Sequence, residues 1–100
     1  VVKHFILHDM ELNTELDRLR KYAPIDAELK RAEKLHPNYP KDMFMQLAIM
    51  QEEAGEVTKA VLDYHYAADT VEHIKEELIQ TAAMCMRMLG GLENEQSTEK

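Results

Sequence analysis

One hundred residues, 45% hydrophobic and 31% charged, fit one small globular domain and leave no room for a second. A net charge of −7 excludes a protein that grips a nucleic-acid backbone through a basic stripe, although a nucleotide can still be held through a cation. The one cysteine, Cys85, cannot build an intrachain disulfide framework, and the apolar start is broken by Lys3, His4 and Asp9, so neither a membrane span nor a signal segment is expected and the setting reads as cytoplasmic.

Leu12, Leu16 and Leu19 recur at helical spacing, and the pattern stops at Ala23-Pro24, which predicts a short first helix. Pro24 and Asp26 open a second, from Ala27 to about Leu35. Its Leu29 and Ala32 face inward, while Glu28, Lys30, Arg31, Glu33 and Lys34 are solvated. The run His36-Pro37-Asn38-Tyr39-Pro40 forces an extended connection. From Asp42 to about Tyr66 there is no proline and one glycine, and Leu47, Met50, Ala54, Val57 and Val61 share one stripe, so a long third helix is predicted.

Ala67 to Thr70 is a turn, in which Asp69 and Glu72 have the spacing of a capping box, and the fourth helix starts near Thr70. Val71, Ile74, Leu78, Ala82, Cys85 and Leu89 form its main stripe, and Gly90-Gly91 is expected to stop it. Ile79, Ala83 and Met86 are apolar on the other side. A helix apolar nearly all round must be buried nearly all round, which predicts a partner subunit, a homodimer or homotetramer. The fold expected is an all-α antiparallel bundle, two long helices plus shorter N-terminal ones, completed by oligomerisation, with residues 1–8 and 92–100 as frayed tails.

Glu53 and Glu56, three apart, share a flank of the third helix, and Glu77 of an antiparallel fourth helix can face them. Three carboxylates this close repel one another unless protons or a divalent ion offset their charge. Oxygen-only ligation suits magnesium, with manganese as a substitute.

The run Glu52-Glu53-Ala54-Gly55-Glu56-Val57, followed after a spacer of 20 residues (57–76) by Glu77-Leu78-Ile79-Gln80, resembles the MazG-type all-α nucleotide pyrophosphohydrolases. Their pattern is Glu-x-x-Glu, a spacer, then Glu-x-x-Asp on two antiparallel helices. The likeness covers about Tyr39 to Leu89, and Gln80 stands where the final aspartate belongs. The wording from Glu76 to Met84 also resembles a phage and bacterial branch with glutamine at that place. What the resemblance implies is magnesium held by Glu53, Glu56, Glu77 and Gln80, and a nucleoside triphosphate cleaved to a monophosphate and pyrophosphate, a housecleaning of nucleotide pools. Glu52 or Glu76 would then be the base, Lys59 and Arg87 phosphate contacts, and Tyr39 or His73 a stacking partner for the base ring.

Blander readings stand beside these. Lys59 can pair with Glu56 or Asp63, and Arg87 can form an ion pair across a subunit interface. A ferritin-like di-iron bundle demands Glu-x-x-His on two helices, which the chain does not supply. The rival outside enzymology is a catalytically silent helical oligomer that binds a nucleotide or a protein, and Gln80 is its best support.

Overall fold

The computed structural model describes residues 2–98, with side chains over residues 10–93. It is all-helical: α1 (Val2–Leu35), α2 (Met43–Tyr66) and α3 (Val71–Thr98), with no strand among the described residues. No helix is long and apolar enough to cross a membrane.

Two expected boundaries are overridden. The first and second predicted helices are one, because α1 runs through Pro24. Proline removes one backbone donor, but Pro24 is exposed and helical residues continue on both sides, so a break would require a costly second nucleation. The Gly90-Gly91 stop is also absent: neither glycine has positive φ, and α3 continues to Thr98. Gly91 serves packing instead. A Cβ built there would lie 3.0 Å from Nε2 of Gln46, so any larger residue presses on that buried side chain, which donates to the Pro40 carbonyl at 2.8 Å. The stretches expected to fray, 2–8 and 92–98, are likewise helical in backbone, and residues 1, 99 and 100 lie outside the described residues.

The ends of α2 and the start of α3 follow local chemistry. Asp42 caps α2 by accepting from the Phe44 N–H at 2.8 Å. At the far end Ala67 and Asp69 both donate to the Asp63 carbonyl, with Ala68 between them in the left-handed region at φ 54°. The cap of α3 is Thr70, whose hydroxyl accepts from the His73 N–H at 3.2 Å. Asp69 accepts from the Thr70 N–H, so the Asp69–Glu72 capping box does not form.

α3 is the central element, with α2 packed on one side and α1 on another, and α1 and α2 do not pack on each other among the described residues. Among the described residues Ala32, Ala60 and Ala83 are the buried apolar ones, one from each helix, and no large side chain is fully buried. Small residues let the backbones approach closely but remove little apolar surface from water. The radius of gyration is 18.2 Å, against about 13 Å for a compact chain of this length. Every residue from Met10 to Pro24 is exposed, Leu12, Leu16 and Leu19 among them. The stripe expected inside α2 is also partly open, with Leu47 and Val61 exposed, whereas Gln46 and Ala60 on the neighbouring flank are buried.

Candidate functional site

With α3 as its floor and α1 and α2 as its walls, a groove of about 380 Å³ runs along the molecule. Glu28, Arg31 and Ala32 line it from α1, Ile49 and Glu53 from α2, and Gln80, Met84 and Arg87 from α3. His36, Asn38, Tyr39 and Pro40 close one end. The third helix of the sequence pattern and the fourth are indeed antiparallel neighbours joined by a short turn.

Glu53 is half-buried, and its carboxyl is pushed above the ordinary 4.5, first by burial and then by the charges of Glu77, Glu52, Glu56 and Glu28. Glu77 reaches it from α3 with a side chain only 13% exposed. Its Oε1 lies 3.4 Å from Nε2 of His73, whose Nδ1 is 2.7 Å from Asp69 Oδ2. Asp69, His73 and Glu77 therefore form a relay along one edge of α3. The Asp69 hydrogen bond, followed by the charges of Asp69 and Glu77, holds the imidazole above its ordinary 6.5, while the same bond lowers Asp69. A protonated His73 offsets part of the charge that Glu77 brings to Glu53.

Among the other expected ligands, Gln80 lines the groove with Glu53, whereas Glu56 is exposed and acts on Glu53 through its charge. Glu52 and Glu76 are exposed, and so is Lys59, which makes no ion pair with Glu56 or Asp63 among the described residues. Arg87 lies with its guanidinium 4.4 Å from the centre of the Tyr39 ring and donates to the His36 carbonyl at 2.9 Å. It thus fastens α3 to the linker, with donors left for the groove. Tyr39 has one ring face covered by Arg87, and its hydroxyl is buried without a partner.

Glu28 and Arg31 went unrecognised as groove residues. Glu28 has a side chain only 16% exposed and takes two hydrogen bonds from Arg31, at 2.8 and 2.6 Å, which hold its carboxyl below the usual range. Its spacing to Arg31 looks like any solvated helix pair; the one available signal was its place beside Ala32 on the inward face. One Glu-x-x-His does occur, Glu33 with His36, at the end of α1 alone.

Among the described residues no three His, Cys, Asp or Glu are grouped so as to hold a metal ion between them. The donors are nonetheless of the right chemistry for magnesium, which is commonly held by one or two carboxylates together with substrate phosphates rather than by an all-protein cage. Glu53, raised by burial and by the neighbouring acidic charges, and the largely covered Glu77 of the facing helix suit that mode. Comparison of the chain with protein-family models, curated proteins and solved structures finds no match.

Proposed function

We propose that the chain is a magnesium-dependent nucleoside triphosphate pyrophosphohydrolase, releasing a nucleoside monophosphate and pyrophosphate, and that it works as a homo-oligomer. The observation that carries this reading is the placement of Glu53 and Glu77 on two antiparallel helices, near enough that the Glu77 charge, together with burial, raises the Glu53 carboxyl above its ordinary value. An ionised carboxylate held in that surrounding gains from any cation that arrives. An acidic protein can bind a polyphosphate only if a cation bridges the two.

Magnesium, entering on the phosphates, would neutralise the charge that develops in an in-line displacement. Glu53 and Glu77 would hold the ion, with the Gln80 amide oxygen as a neutral donor, and the ion would supply charge neutralisation for the phosphates. Arg87 and Arg31 face the same groove and complement phosphate charge, and the exposed Lys59 is a further cation on α2. Attack by water breaks the bond between the α and β phosphates and leaves one proton to be accepted, by Glu52 or Glu76 swinging in from the surface. His73 keeps Glu77 oriented, and Tyr39 offers its uncovered face to the base.

Pyrophosphate release from a panel of nucleoside triphosphates, with and without magnesium, tests the reading. Turnover that needs magnesium and is lost in Glu53→Gln supports it. If no triphosphate is cleaved and magnesium leaves the melting temperature of the unsubstituted protein unmoved, the silent helical module stands instead.

A further inference from the structure

Glu28 and Arg31 are three apart on α1, a spacing that ordinarily makes a solvated surface pair. The other pairs of Lys or Arg with an acid among the described residues are Arg18–Glu15, Lys21–Asp17, Lys30–Asp26 and Lys75–Glu72, and in each of them both side chains are at least 58% exposed. Glu28–Arg31 is lopsided. The arginine is 56% exposed and the glutamate only 16%, because Glu28 stands in the wall of the groove. Both of its oxygens are taken: Nε of Arg31 donates to one at 2.8 Å and Nη2 to the other at 2.6 Å. The same planar fork is how a guanidinium takes two oxygens of a phosphate.

A bare anion that enters the groove therefore meets Arg31 already engaged. To take the fork it must displace Glu28, and a covered carboxylate left without a partner is costly. The surroundings add to that cost, since Glu53 lines the same groove and is already raised by burial and by the charges of other acids, Glu28 among them. Arg87, the other guanidinium of the groove, is engaged with the Tyr39 ring and the His36 carbonyl. An anion that brings a divalent cation with it carries a replacement for the lost positive charge.

We infer that Glu28 determines specificity: it withholds Arg31 from bare anions and releases it to a polyphosphate that carries a divalent cation. Glu28 is thus a positioning residue that acts through Arg31. The inference rests on the phosphate-binding part of the proposed function and not on cleavage, so inorganic tripolyphosphate, which has no nucleoside, can read it.

Calorimetric titration of the full chain with tripolyphosphate, first in chelator and then with magnesium, measures the discrimination. Magnesium is expected to tighten binding by at least ~10-fold in the unsubstituted protein. Glu28→Gln is expected to tighten binding of the magnesium-free anion by about 5- to 10-fold, the worth of one partly exposed charge-assisted hydrogen bond released. A merely structural role for Glu28 predicts no gain. Relief of repulsion alone does predict one, so Glu28→Gln is compared with the double substitution Glu28→Gln, Arg31→Gln, which leaves no bare charge and is expected to bind the free anion no tighter than the parent. Glu33→Gln removes an exposed charge of α1 outside this groove and changes that affinity by less than about twofold. In the unsubstituted protein, the NMR signal of the Arg31 Nε–H moves when tripolyphosphate and magnesium are added together and stays in place with the same concentration of anion alone. Tripolyphosphate that fails to bind even with magnesium, no gain in Glu28→Gln, an equal gain in the double substitution, or an Nε–H signal that does not respond overturns the inference. If the titrations behave as expected and no triphosphate is cleaved, the activity falls and this exchange stands; if triphosphates are cleaved while Glu28→Gln binds like the parent, the reverse holds.

Discussion

Truncating Arg87 to alanine removes the tie between α3 and the linker that closes the groove. Two interactions go with it. A cation over an aromatic face at an incompletely buried site contributes about 0.5–1 kcal/mol, and the guanidinium lies 4.4 Å from the Tyr39 ring centre. The 2.9 Å hydrogen bond to the His36 carbonyl is charge-assisted but exposed, so about 1 kcal/mol is a fair share. Arg87→Ala is therefore expected to cost about 1.5–2 kcal/mol, measured by urea denaturation followed by circular dichroism at one fixed protein concentration. Arg87→Lys keeps a cation for the ring but loses the planar fork, and about half of that loss is expected. A double-mutant cycle with Tyr39→Leu isolates the ring contact, with a coupling of about 0.5–1 kcal/mol. A loss below ~0.5 kcal/mol for Arg87→Ala, or no coupling to Tyr39, would refute the account of how the linker is held.

Three further outcomes follow from local geometry. Ala68 sits at φ 54°, so Ala68→Gly relieves left-handed strain and raises stability by about 1 kcal/mol in the same denaturation assay, provided no compensating contact is lost. Gly90→Ala meets open space and gains about 0.5–1 kcal/mol of helix propensity, whereas Gly91→Ala presses on Gln46 and gains nothing or loses stability; equal effects would contradict the packing described. The His73 carbon protons, followed by NMR, titrate above 6.5, and Asp69→Asn brings that midpoint down. Because the folded-state pKa is raised, the stabilisation from this pair is fully present below 6.5 and lost as pH rises through the folded value, so melting temperature falls over that window in the parent and less in Asp69→Asn.

How much of this was legible beforehand differs from element to element. α2 was readable nearly to the residue, because Asp42 and the Ala67–Thr70 turn mark its ends with groups that bond the free backbone. Pro24 and Gly91 misled for one reason: each was weighed as a local signal, while the outcome rests on neighbours that the local signal does not include. The propagating helix around Pro24 outweighs one missing donor, and Gly91 answers to Gln46, 45 positions away and invisible to periodicity. Glu53, Glu77 and Gln80 could be anticipated from spacing on two antiparallel helices. Glu28 could not, since its place depends on how α1 packs against α3, which the spacing along one helix does not carry.

Ala60 and Ala83 are fully buried, so the distance from α2 to α3 is fixed by methyl groups and backbone, which cannot adjust as longer side chains do. That distance also decides how near Glu53 comes to Glu77. The large apolar residues that would otherwise hold two helices together stand exposed, Leu62 and Leu78 among them, so the closeness of the two helices, and with it the upward push that Glu77 exerts on the Glu53 carboxyl, rests on the small ones.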